Sequence, residues 1–325
     1  MMKRLSKVML AIFASVAMIS GANAQSSEKA FQLSFISPIG TNGTQANEII
    51  NDYSLNLLGG HSRGNNVLEL GGLYNVNTSY TKGVQFAGLT NYSAKSEKAV
   101  QFAGITNIAS DQDRGVQISG ITNVTAKGNV AFQLSGILNV ADKAGTQIGL
   151  INIADSVGGT SIGLINIVKK NGKKEFEIGF SDALHTYGSF KLGTDKFYTI
   201  FSAGVNYINQ TDDLQYAVGL GFGKDIALKN NFATQIELLG YGLSEGQEFT
   251  SDLNMLTQLK VTGSKEFKSG VKVFAGPVLN MTVSKYQGED GELIGSQLAP
   301  YTLFESNNGN VDLKGWIGFT FGIRY

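Results

Sequence analysis

An asparagine returns every 16 residues at Asn75, Asn91, Asn107, Asn123 and Asn139, then after 13 and 14 residues at Asn152 and Asn166. A glycine stands three positions before each one, from Gly72 to Gly163. A fixed period of this kind requires one structural unit used repeatedly. That unit is not a helix, because Gly, Thr, Val and Asn are poor helix formers and no stripe of period 3.6 accompanies them. Each copy reads instead as one strand of about nine residues followed by a polar turn such as Ala94–Lys98 or Ser110–Arg114.

Alternation then sorts the side chains. Val84, Phe86, Gly88, Thr90 and Tyr92 share one face, and Gln85, Ala87, Leu89 and Asn91 the other. The preceding segment keeps the same frame, with Leu68, Leu70, Gly72 and Tyr74 against Glu69, Gly71, Leu73 and Asn75. A carboxylate facing lipid costs kilocalories, so the face of Glu69 points inward. Gln85, Gln101, Gln117 and Gln133, with Asn75, Asn91, Asn107, Asn123 and Asn139, follow it as the expected lining of an interior. The last two copies lack one residue between Gln147 and Gly149 and between Ser161 and Gly163, which predicts a bulge or a change of architecture there.

The C-terminal stretch shows the longest alternation. Leu313, Gly315, Ile317, Phe319, Phe321, Ile323 and Tyr325 oppose Lys314, Trp316, Gly318, Thr320, Gly322 and Arg324. Strands of soluble sheets usually hold five or six residues, whereas a strand crossing a bilayer needs about 9 to 11. Leu214–Phe222 and Val271–Met281 alternate in the same way. Counting such segments from Phe31 gives about 16, an even number, as in antiparallel barrels with both ends on one side of the membrane. The expected fold is therefore all-β: a single antiparallel transmembrane β-barrel of about 16 strands over residues 25–325, with its repeat region at about 67–168. The alternative is a β-solenoid repeat module, its Asn residues bonded one above another, joined to a smaller β-barrel. In the barrel reading Gly40–Asp52 and Ser284–Asp312 are outer loops and Gly263–Gly270 is an inner turn.

Met1–Ala24 has a basic start, an apolar run from Val8 to Ser20 and a small-residue exit, Ala22-Asn23-Ala24, the pattern of a cleaved signal peptide. The run is shorter than the ~20 residues a membrane helix requires. Its removal leaves 23 basic against 26 acidic residues, a balance that gives no footing for nucleic acid. There are 41 glycines, three prolines and no cysteine, so neither a disulfide nor a lipid-modified cysteine is available. The repeats, together with Tyr53–Gly60, Leu68–Gly72 and Ser37–Gly43, resemble surface-repeat-containing proteins of Bacteroidetes-type Gram-negative bacteria. That resemblance implies an outer-membrane or cell-surface location and carries over no biochemical activity; outer-membrane lipid is the expected partner.

Catalytic chemistry is weakly represented. The two histidines, His61 and His185, fall in expected turns, and neither Ser181 nor Ser189 near His185 carries a nucleophile motif. Asp111-Gln112-Asp113 and Glu289-Asp290-Gly291-Glu292 read as solvated loop tips. Gly219–Gly223 lacks the Gly-Lys-Ser/Thr ending of a phosphate loop. No enzyme, cofactor or metal site is expected. The function expected is that of an outer-membrane surface protein: a passive or ligand-selective channel lined by Glu69 and the Gln and Asn series, or a structural or adhesive repeat protein without transport.

Overall fold

The computed structural model describes residues 27–207, 214–245, 253–287 and 292–325. The expected signal peptide and residues 289–291 of the second acidic cluster lie outside them. The chain is all-β and divides into two compact units, Met1–Asn171 and Gly172–Tyr325.

The first unit is a β-solenoid, and the single 16-stranded antiparallel barrel is not formed. Successive copies pair in parallel and in register: Val84–Ala87 lies on Val100–Ala103, which lies on Val116–Ser119 within the strand Thr106–Ser119. The second half of each copy does the same, Thr90 on Thr106 and Thr106 on Thr122. The physical reason is the identity of the copies. Parallel stacking brings each amide onto its own kind, an arrangement an antiparallel meander cannot reproduce along the whole strand. Ile49–Gly71 and Thr106–Ser119 each run through both sheets of the coil, so the six strands from Ile49 to Ser119 also close as a ring.

Each copy is two strands rather than one, broken at the recurring glycine. A Cβ on Gly88, Gly104, Gly120 or Gly136 would overlap the carbonyl oxygen of the glycine one coil earlier. The corner is thus a column of glycines in backbone contact, and the residue after each glycine turns outward. Leu89, placed inward by simple alternation, is exposed, as are Leu73, Ile105, Ile121, Ile137 and Leu150. The shortened copies also behave differently from expectation. Gln147 still pairs with Gln133 and stays fully buried, because Gly149 alone replaces the Ser135-Gly136 corner and the strand does not turn over. A compact apolar cluster of Val130, Ala141, Ala144, Ala154, Val157 and Val168 fills the interior of these later coils near their polar turns.

The second unit is a closed eight-stranded antiparallel barrel. Its strands are Lys173–Ser181, Thr186–Thr194, Phe197–Asn206, Gln215–Ala227, Phe232–Glu245, Asn254–Glu266, Lys272–Ser284 and Asp312–Arg324. Each pairs with the next, and the last pairs with the first through Ile178 opposite Ile323 and Phe180 opposite Phe321. Strands of 9 to 14 residues match the length needed to cross a bilayer. Most of their outward residues are apolar, among them Phe176, Phe180, Val218, Leu238, Leu279 and Phe319. The expected faces of the C-terminal strand hold: Ile317, Phe319, Phe321 and Ile323 are exposed, while Trp316, Thr320 and Arg324 are buried.

Candidate functional site

The expected interior residues all point inward, but the interior belongs to the solenoid and is filled by their own side chains. Glu69, Gln85, Gln101, Gln117, Gln133 and the five asparagines Asn75, Asn91, Asn107, Asn123 and Asn139 are fully buried. The asparagines form a ladder in which each Nδ2 donates to the next Oδ1 at 3.0 Å, from Asn75 to Asn91, Asn107, Asn123 and Asn139, and then at 2.9 Å to Asn152 and Asn166. Each Nδ2 also reaches a backbone carbonyl of the facing sheet, as Asn91 does at Phe102 (2.7 Å). The ladder therefore ties the two sheets of each coil together as well as joining consecutive coils.

The glutamines donate the other way. Gln147, Gln133, Gln117 and Gln101 each give Nε2 to the Oε1 of the preceding glutamine at 2.8 to 3.0 Å. Gln85 then donates to Glu69 at 2.8 Å. An ionised carboxylate only accepts, so it terminates a column of donors. Glu69 also receives Asn77 (2.8 Å) and Asn56 (3.3 Å), and Asn56 is the residue that starts the asparagine ladder. Burial nevertheless outweighs these three donors and pushes the carboxyl up to about 7. At the other end of the column Oε1 of the buried Gln147 has no partner among the described residues, because Ser161, which takes the next glutamine position, donates to Asn166 instead.

Polarity inside and hydrocarbon outside define the coil's outer surface. Phe86 stacks on Phe102 with ring centroids 4.7 Å apart. A groove of about 570 Å³ runs past Leu57, Leu70, Phe86, Phe102 and Ile118, and the column Gly72, Gly88, Gly104 and Gly120 forms one wall.

The barrel's interior carries charges, of which the sequence reading places only Arg324, opposite the apolar face of the last strand. Lys191 Nζ lies 2.6 Å from Glu177 and 2.5 Å from Glu237, and Arg324 Nε donates to Glu177. Tyr198 donates to Glu237 at 2.8 Å. The Lys260 ammonium stands 3.8 Å from the centre of the Tyr187 ring, and the Arg324 guanidinium 4.0 Å from that of Phe274. A second tier joins Lys173 to Asp225 (2.5 Å) and Glu175 (3.0 Å), with Lys272 on Glu175 (2.9 Å). Higher in the barrel Trp316 Nε1 donates to Asp182 at 2.5 Å, and Ala183 and Leu184 pack inward against an aromatic core that includes Tyr187, Tyr198, Tyr241 and Trp316. An eight-stranded barrel has an interior just wide enough for side chains to fill, and these fill it. The sequence signal was present: each of Glu177, Lys191, Glu237 and Lys260 sits between two outward apolar residues, as in Phe176-Glu177-Ile178.

The remaining polar groups have local roles. Ser181 Oγ accepts the Leu184 N–H (3.0 Å), Ser189 donates to Ser202 (2.8 Å), and His185 Nδ1 accepts the Tyr207 N–H (3.2 Å). Asp113 pairs with Arg114 at 3.3 Å, both largely exposed. Among the described residues no three His, Asp or Glu side chains gather as a metal cage. Comparison with protein-family models, with curated proteins and with solved structures finds no match.

Proposed function

We propose that this is an outer-membrane surface protein in which the eight-stranded barrel is the membrane anchor and the solenoid a rigid repeat scaffold, without transport activity. The observation that carries the reading is the polarity of the barrel: a predominantly apolar exterior around an interior closed by paired charges and aromatic rings. Long apolar-faced strands suit lipid. A lumen occupied by Lys191, Glu177, Glu237, Lys260 and Arg324 is a plug rather than a water path. The amide ladders support the scaffold half of the reading, since they bond every coil to its neighbours and leave no channel between them. The surface-repeat resemblance of the sequence favours the same location.

Two experiments on the purified full chain test it. On a detergent gel the unheated protein should migrate faster than the boiled protein, because a closed barrel stays compact until heated. In planar bilayers the folded protein should give no single-channel steps. Stable conductance that changes selectivity with Glu69→Lys would contradict the scaffold reading in favour of a channel.

A further inference from the structure

The solenoid segregates charge along its coils with a regularity its own stability does not require. From Val84–Tyr92, Val100–Ile108, Val116–Val124 and Phe132–Val140 through Gln147–Ile153 and Ser161–Ile167, the half of every coil on the glycine-corner side contains no Lys, Arg, Asp or Glu. In the preceding half-coil, Leu68–Val76, the single charged residue is Glu69, and it is buried. The opposite edge carries the charges: Lys95, Glu97 and Lys98, then Asp111, Asp113 and Arg114, then Lys127, Asp142 and Lys143, Asp155, and Lys169 and Lys170.

The glycine corner is also the most apolar line on the unit. Leu73, Leu89, Ile105, Ile121, Ile137 and Leu150 stand exposed one above another, with Leu164 completing seven rungs. At ~4.8 Å between rungs the line is roughly 29 Å long. One flank continues it through Leu70, Phe86 and Leu134, and at the N-terminal end through Leu55 and Leu57, all exposed. Monomeric proteins in water rarely expose contiguous apolar surface beyond a few hundred Å².

We propose that this edge is a lipid-contacting ridge: the Leu/Ile corner and its flanking groove sit among the acyl chains of a bilayer, with the charged edge in water. The inference rests on the reading of this protein as membrane-associated. The chemistry favours hydrocarbon over a protein partner. Protein interfaces carry about one hydrogen bond per 100–200 Å² and a polar rim that sets register. Here the rungs repeat Leu or Ile with no polar side chain between them along the line, so a partner could slide by a rung at little cost. Fluid acyl chains need no register. The sheets can also enter hydrocarbon at this edge because their backbone groups are paired coil to coil, including the corner itself, where Gly104 N–H bonds Ala87 O at 3.2 Å and Ile105 N–H bonds Leu89 O at 3.0 Å. The same division of faces places amphipathic helices in the membrane interface.

The absence of cysteine permits a direct test, with one nitroxide per variant of the full chain in phosphatidylcholine–phosphatidylglycerol vesicles. Ile121→Cys labels the ridge, Lys127→Cys the charged edge and Phe319→Cys the barrel exterior. Collision rates are read with molecular oxygen, which concentrates in hydrocarbon, and with a water-soluble nickel chelate. The proposal predicts that the Ile121 and Phe319 labels favour oxygen over nickel by several-fold, and that the Lys127 label reverses the preference. A Phe319 label in lipid beside an Ile121 label as nickel-accessible as Lys127 would overturn the ridge and leave the barrel anchor standing. An Ile121 label shielded from both reagents would overturn it in favour of a protein partner or second copy. Nickel access at both Ile121 and Phe319 would remove the membrane reading and the ridge together.

Discussion

The two units solve one problem by different means. Both expose many apolar residues and bury polar ones beside an apolar cluster, and both must then satisfy the polar atoms they enclose. The solenoid uses neutral amides bonded along its axis, each to an identical neighbour, with a single carboxylate at the end of one column. The barrel uses ions bonded across its width, Lys191 and Arg324 reaching Glu177 and Glu237 from different strands. Repetition explains the difference. A repeating sequence can satisfy a buried amide by copying it, since Asn and Gln each donate and accept. A barrel strand has no copy of itself beside it, so acid and base must be matched between unlike strands.

Disruption should be most severe where a charge loses its partner. Glu177→Ala leaves the buried Lys191 and Arg324 sharing Glu237, and breaking a buried pair costs about 3–5 kcal/mol. The expected result is loss of the fast-migrating gel form well below the wild-type transition temperature, with the solenoid's resistance to protease unchanged. The converse pattern, a protease-sensitive solenoid on an intact barrel, would dissolve the contrast between the units.

The solenoid's own ionisable group should show itself through pH. The Glu69 carboxyl, raised from 4.5 to about 7, makes the folded unit bind more protons than the unfolded chain between those values. Its stabilising contribution is complete below pH ~4.5 and is lost as pH rises through about 7, a change on the order of 3 kcal/mol. Urea unfolding of the solenoid followed by circular dichroism should therefore give a higher midpoint at pH 5 than at pH 8. Glu69→Gln, which extends the glutamine column by one neutral member, should flatten that dependence; an undiminished slope would assign it elsewhere.

Smaller effects sharpen the ladder itself. Gly104→Ala forces a methyl group against the Gly88 carbonyl and should cost about 2 kcal/mol, within the range for overpacking. Gln117→Leu orphans the Gln101 acceptor and leaves Gln133 Nε2 with only the Val140 carbonyl, and each unsatisfied buried group costs about 1–3 kcal/mol, partly offset by the added apolar packing. Lys127→Ser on the charged edge should change the midpoint by less than ~0.5 kcal/mol. A loss at Lys127 matching that at Gln117 would mean that the turns, rather than the interior, hold the coils together.

Much of this arrangement was legible in the residues. The period and the strand character of the repeats follow from the recurrence and the residue types, and the inward direction of Glu69 and the glutamines and the faces of the C-terminal strand from alternation. The pairing direction does not. An antiparallel stave and a stacked rung present the same alternation, and only the recurrence of one asparagine at one position distinguishes them, since like meets like throughout a strand only in parallel register. The break at each glycine was hidden for a related reason. None of the corner glycines has a positive φ, so the need for glycine arises from the neighbouring coil's carbonyl and not from the local backbone. In the barrel the inward charges were visible one strand at a time, but their partners lie on strands up to 147 residues away, as with Arg324 and Glu177.

The pairing direction can be tested chemically. Thr106 and Thr122 are direct neighbours in the parallel coil, whereas antiparallel staves would set them roughly 14 Å apart, at ~3.4 Å per residue, and bring Thr106 beside Ile118 instead. In the cysteine-free chain the pair Thr106→Cys/Thr122→Cys should close to a disulfide under mild oxidation and resist cleavage between the two positions, while Thr106→Cys/Ile118→Cys should remain reduced. Closure of the second pair and not the first would contradict the solenoid.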